Sequence, residues 1–329
     1  MPTFCRHNRF LQSCPICSRE LAPSPSPSPP PRAARPGTPA AARVRSAGLA
    51  RGRKGELRVR QAPRAAEDGY RHALVPGLKS SAAASRLAEE IALAAGRLAS
   101  LAAAPPDLYA EVASEPDIEE ATWLAFLIAY LSPLTGEDPF AGVRAARASW
   151  SSGALPDLDE VPLGARTAHE RARGATTLAA YRAWAERAGG QAAAFVGEST
   201  WTAERRFSRV FERLALPGLH RAARFDLLVI LGRLGRYELR APELFLGGDD
   251  AVSVAAKRVF GIADKLLLER RAAALAEACE VPLDALDLAL FNWASDPRER
   301  PAPGAPPPEA EPELAVLATA ALGVSRDAR

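Results

Sequence analysis

The stretch Asp249–Trp293 reads DDAVSVAAKRVFGIADKLLLERRAAALAEACEVPLDALDLALFNW. Asp249 and Asp250 are capping residues ahead of Val252, Val254, Ala255, Val259 and Phe260, an apolar set that predicts a helix over 251–260. Phe260-Gly261-Ile262-Ala263 breaks the pattern, and glycine is the residue that tolerates the left-handed backbone of a tight turn. A second helix enters at about Asp264, with Leu266, Leu267 and Leu268 expected to pack the hairpin together. A short third helix follows Val281-Pro282 and is opened by Asp284 and Asp287. The amides of Gly261, Ile262 and Ala263, at the start of the second helix, make a seat for a phosphate, with Lys265, Lys257 and Arg258 as nearby cations. Asp284 and Asp287 can face whatever that phosphate belongs to. Spaced by three at a helix start, they are equally suited to capping it.

Outward from this stretch, alanine, leucine and arginine dominate, and β-branched runs do not occur. The spacing predicts helices over 82–103, 108–113, 118–131, 140–148, 165–187, 191–196, 200–216 and 219–234. The segment 118–131 carries Trp123, Leu124, Phe126, Leu127, Ile128 and Leu131 with little polar surface, which marks it as the buried central helix. On 200–216, Phe207, Val210, Phe211 and Leu214 form the inward stripe, while Trp201, Arg205, Arg209 and Arg213 step by four along another face. That ridge suits a DNA backbone, or simply a solvated face paired with Glu204 and Glu212. Asp226 lies in an apolar run, where a carboxylate is costly without a partner; His220, Arg224 and Arg233 are the candidates from sequence. With Tyr70 and His72 it is a further candidate for lining a pocket. Cys279 reads as a buried helix residue.

The two ends differ from this body. About half of the 29 prolines fall in 23–39 and 301–312, which leaves 65–296 as the compact all-α domain. Residues 1–64 carry 13 Lys+Arg against 2 Asp+Glu, whereas 65–296 carry 25 against 32, so a basic arm precedes an acidic body. Such an arm suits nucleic-acid phosphates, or is a solvated segment that follows base composition. Cys5, His7, Cys14 and Cys17 form C-x-H-x6-C-x2-C within residues 1–20, a closed four-ligand set for a structural zinc knuckle. Residues 21–64 read as a disordered basic linker rich in Pro, Ala and Arg, and 297–329 as a Pro-rich tail with a short helix over 312–322 that can dock on a partner. The start of the chain lacks the apolar segment of a signal peptide, and the longest strongly apolar run, Trp123–Leu131, is far short of a bilayer span, so the expectation is a cytoplasmic protein with no membrane contact.

The hairpin Val259–Leu267 resembles that of the helix-hairpin-helix DNA glycosylase superfamily, with Lys265 at the lysine position and Asp284 at the essential aspartate. It departs from that pattern at Ala263, where a second glycine is usual, and at Leu266-Leu267, where Thr-Ala is usual. A narrower resemblance rests on GYRHALVPGLKSS, EEATWLAFLIAYLSPL, AAKRVFGIADKLLLERRA and LDLALFNW. Together they are similar to the α-glutamyl/putrescinyl thymine pyrophosphorylase family, clade 3. That resemblance implies a helix-hairpin-helix DNA-glycosylase-like helical domain. It further implies a reaction in which an amine or amino acid displaces pyrophosphate from a 5-hydroxymethyluracil-derived base in DNA. Asp284 or Asp287 would then steer the amine or take its proton, and Lys265, Lys257 and Arg258 would assist the phosphates. Two other readings stay open: a DNA glycosylase that removes an altered base, and a non-enzymatic, zinc-tethered module that binds DNA or protein.

Overall fold

The computed structural model describes residues 66–295 and 310–324. Backbone contacts divide the chain into two units, Met1–Leu57 and Arg58–Arg329, and every described residue belongs to the second. The predicted zinc ligands Cys5, His7, Cys14 and Cys17, and the basic linker, lie outside the described residues.

Among the described residues the chain is helical, with no strand. The helices are α1 (Ser81–Ala103), α2 (Leu108–Ser114), α3 (Ile118–Leu131), α4 (Ala141–Ala145), α5 (Gly174–Arg187), α6 (Gln191–Val196), α7 (Ala203–Arg213), α8 (Arg221–Arg233), α9 (Ala251–Phe260), α10 (Lys265–Ala278), α11 (Leu283–Ala294) and α12 (Pro312–Ala321). No described helix is long and apolar enough to cross a membrane.

Two helix pairs organise the core. In the first, α3 packs on α8, and every residue from Ala121 to Leu131 is buried, as expected of a helix with so little polar surface. Trp123, Phe126 and Tyr130, spaced by three and four, share one face, where Phe126 stacks on Tyr181 of α5 at 3.8 Å between ring centroids. The N-terminus of α3 shows how local signals become tertiary ones. Asp117 caps the helix, accepting from the Glu119 N–H at 2.8 Å. Glu119 then accepts from the backbone N–H groups of Gln191 and Ala192, each at 2.8 Å, while Glu120 accepts from the N–H groups of Trp150 and Ser151. The acidic first turn thus fixes the start of α6 and the 150–151 loop as well as meeting its own helix dipole.

In the second pair α11 lies along α1, where Ala84, Ala88, Ala285 and Ala289 are all buried and small enough for close approach. The Trp293 indole donates to the Ala83 carbonyl at 3.0 Å, and Arg86 donates to the Ser295 carbonyl at 2.6 Å, satisfying the C-terminal end of α11. The tail helix α12 docks within the chain itself, on α1 and α10, with Ala318 and Leu322 fully buried and the Tyr70 hydroxyl donating to the Leu322 carbonyl at 2.5 Å.

The hairpin has the predicted local form. Gly261 ends α9 in the left-handed conformation, with φ 65° and ψ 22°, and Asp264 caps α10 by accepting from the Leu267 N–H at 3.0 Å. Of the three leucines expected to hold the hairpin together, only Leu268 does so. Leu266 is 70% exposed and Leu267 46%, because they sit on the outer side of the first turn of α10. The turn is held instead by the Val75–Leu78 segment. The Gly77 N–H donates to the Val259 carbonyl at 2.9 Å, and a Cβ at position 77 would lie 2.0 Å from the Arg258 oxygen. Because that oxygen is backbone, Gly77→Ala is expected to cost about 1–3 kcal/mol or more in urea unfolding. A cost indistinguishable from zero would mean that the two turns do not touch.

The largest difference from expectation lies before α5. Residues 165–173 are loop, and the helix begins only at Gly174. The physical reason is that the last carbonyls of α3 need donors. Gly164 N–H supplies one to Leu131 O and Ala168 N–H another to Tyr130 O, both at 3.0 Å, so this segment runs back along the end of α3. That course carries Arg166 into the core.

Candidate functional site

Arg166 has no exposed side-chain surface. Its Nε donates to Asp226 Oδ2 at 2.7 Å and its Nη2 to Asp226 Oδ1 at 2.6 Å, while Nη2 also reaches Asp287 Oδ1 at 2.8 Å. Arg221 donates to the other oxygen of Asp287 and, through Nε, to the Leu244 carbonyl at 2.9 Å. Two guanidinium groups and two carboxylates therefore balance in the interior, with the ring of Phe291 4.7 Å beneath Arg166. Burial pushes the Asp226 carboxyl up, and Arg166 only partly offsets it. Burial works on Asp287 as well, but Arg221 and Arg166 together outweigh it and hold that carboxyl below its usual range.

The partner of Asp226 is thus Arg166, and none of the three candidates suggested by sequence proximity. His220 pairs with Glu170 at 3.0 Å, Arg224 donates to the Phe211 carbonyl, and Arg233 holds Asp284. This also separates the two aspartates of α11. Asp287 is 1% exposed and saturated by arginines, so it braces the core and does not meet solvent.

Asp284, one turn earlier, is part-buried, with 12% of its side chain exposed. Arg233 binds it through both nitrogens, Nε to Oδ2 and Nη2 to Oδ1, each at 2.7 Å. The pair lines an open cleft of about 270 Å³ between α7, α8 and the start of α11. Phe207, Val229 and Leu239 supply its apolar wall, and Arg240 a second cation, paired with Glu204 at 3.3 Å but 76% exposed. A second cleft, of about 220 Å³, has Glu111, Glu115, Glu120 and Trp123 in its lining. There Glu111 is bound by both nitrogens of Arg147, as Asp284 is by those of Arg233, and Glu120 accepts from the 149–151 loop.

The remaining predicted residues are dispersed. Lys265 is exposed at the start of α10, facing Gly247, and does not line the Asp284 cleft. Lys257 donates to the Gly248 carbonyl at 2.9 Å, and Arg258 lies 5.0 Å over the Trp293 ring. Gly261 and Ala263 are exposed and Ile262 half-buried, but the α10 terminus they adjoin is closed by the Asp264 carboxylate, which puts negative charge where a phosphate was expected. On α7, Arg205 is exposed and Arg209 pairs with Glu212 at 3.1 Å. Trp201 precedes the helix and is buried, with Arg213 stacked over it. Tyr70 and His72 stack at 6.4 Å beside the end of α12. Burial pushes the Cys279 thiol up to about 11, in keeping with an inert core residue. Among the described residues no group of three or more His, Cys, Asp or Glu side chains is placed to hold a metal ion.

The described residues therefore define an all-α domain with two carboxylate–guanidinium pairs opening on clefts, Asp284–Arg233 and Glu111–Arg147, and a larger ionic cluster enclosed in the core. No family model, no curated protein and no solved structure matches the chain.

Proposed function

We propose that the chain modifies a thymine-derived base in DNA by displacing pyrophosphate from a 5-hydroxymethyluracil derivative with an amine. The supporting observation is that Asp284 lines a cleft together with Arg233 and Arg240, on an apolar wall, while Asp287 is withdrawn into the core. At about 270 Å³ the cleft is slightly below the usual size of ligand pockets, about 300–1,000 Å³, and suits a base taken out of the stack. In this reading the carbon–nitrogen bond forms at the C5 methylene as the carbon–oxygen bond to pyrophosphate breaks. Asp284 accepts the proton released by the amine, and Arg233 moves from Asp284 to the departing phosphates, joined by Arg240. Cys5, His7, Cys14 and Cys17, three thiolates and an imidazole, have the donor chemistry of a structural zinc and take no part in the step.

The test is nucleoside mass spectrometry after incubating the protein with DNA that carries pyrophosphorylated 5-hydroxymethyluracil, plus glutamate or putrescine. The expected result is a new amine-substituted thymine nucleoside and free pyrophosphate. Release of free base would indicate a glycosylase instead, and an unchanged nucleoside profile would count against both.

A further inference from the structure

Segment 71–79 lies across the α9–α10 hairpin. Arg271, on α10, donates to the Ala73 carbonyl at 3.0 Å, and Gly77 is bonded to Val259 at the end of α9. Gly261 meets the same segment, since a Cβ there would lie 3.2 Å from Gly77 Cα. Held at both points, the segment walls a shallow groove of about 250 Å³ lined by Arg71, His72, Ala73, Pro76 and Lys79. None of these five is acidic. Arg71 and Lys79 are exposed, and neither forms an ion pair among the described residues. The neighbouring Asp68 is bonded through its N–H to the Lys79 carbonyl at 3.2 Å, and its carboxylate accepts from the Ser81 N–H at 2.9 Å and from the Ser81 hydroxyl.

Beside the groove stands apolar surface. Leu267 is one turn before Arg271 on the same side of α10, and Leu266 is the most exposed large hydrophobic residue among the described ones. The setting sharpens the contrast, because the compact region as a whole is acidic, 25 Lys+Arg against 32 Asp+Glu over 65–296. Basic side chains along a groove, with exposed Leu267 on the side of α10 that also carries Arg271, match a phosphodiester backbone with sugar and base edges beside it.

We infer that this groove seats a DNA backbone, with Arg71, His72 and Lys79 facing phosphates and Leu266 and Leu267 against the sugars or bases. The inference rests on the reading of the chain as a DNA-acting protein. It moves the backbone contact from the hairpin amides, whose helix end Asp264 closes, to the segment that crosses them.

The experiment uses the full chain and fluorescein-labelled thymine-containing oligonucleotides, single-stranded and duplex, with anisotropy recorded over a salt series. Arg71→Ala/Lys79→Ala is expected to bind about 10-fold more weakly near 0.1 M salt, with the log–log salt slope shallower by about 1–2. Leu266→Ser/Leu267→Ser should weaken binding and leave that slope unchanged. Arg171→Ala, an exposed arginine outside the groove, should bind as wild type. If the groove variants bind as tightly as wild type, or Arg171→Ala weakens binding equally, the groove assignment is overturned and the DNA reading survives. If the wild type binds neither oligonucleotide, both fall. Circular dichroism confirms that each variant is folded, and the single variants replace any double variant that is not.

Discussion

Arg166→Met is expected to destabilise the domain by about 3–5 kcal/mol, the largest effect of any single change considered, as read by urea unfolding. Methionine keeps an apolar stem against Phe291 but removes the guanidinium that serves Asp226 twice and Asp287 once. Asp226 then has no cation within bonding distance, and Asp287 keeps only Arg221. The cost comes chiefly from an uncompensated buried charge, and a second substitution should reveal this. Adding Asp226→Leu to Arg166→Met removes the stranded carboxylate and is expected to restore part of the loss. Losses that simply add would show that the two side chains do not act as a pair.

Asp284→Asn is expected to behave in the opposite way, sparing the fold and removing the chemistry. The side chain keeps its shape and one acceptor for Arg233, so the stability cost should be about 1–2 kcal/mol. A carboxylate that takes a proton in the rate-limiting step contributes about 10²–10⁴-fold, and asparagine cannot replace it. The rate of base modification should therefore fall by about that factor while thermal unfolding shifts by only a few degrees. Arg233→Lys tests the neighbouring role. Lysine keeps the charge but loses the two-pronged geometry, so the variant should retain more activity than Asp284→Asn if Arg233 serves the phosphates mainly as a charge.

Much of the fold was legible because its signals are local. Alanine and leucine periodicity marked nearly all the helices, and α6 and α9 run over the residues that their spacing predicts. Helix α3 declared its burial through its own composition, and Gly261 the turn it makes. What was not legible depended on partners distant in sequence. The 165–173 segment has helix-compatible residues, and only the unfilled carbonyls of α3 draw it into a loop. Nothing in the sequence singles out Arg166, which stands 60 and 121 positions from the two aspartates it joins. The same limit applied to the pair on α11. Three-residue spacing places Asp284 and Asp287 on neighbouring turns, but only the packing against α8 shows that one opens to a cleft and the other is enclosed. The exposed Leu266 and Leu267 were misplaced for a related reason, since a run of three leucines does not reveal which one the neighbouring helices will cover.

In the proposed reaction Asp284 is the working carboxylate of the cleft it lines with Arg233 and Arg240. The most direct measurement is a time course of nucleoside mass spectra for wild type and Asp284→Asn, on the same pyrophosphorylated 5-hydroxymethyluracil DNA with an amine present. Steady formation of the amine-substituted nucleoside is expected from the wild type, and a rate lower by about 10²–10⁴-fold from the folded variant. Equal rates for the two proteins, or no product from the wild type, would contradict the proposed reaction.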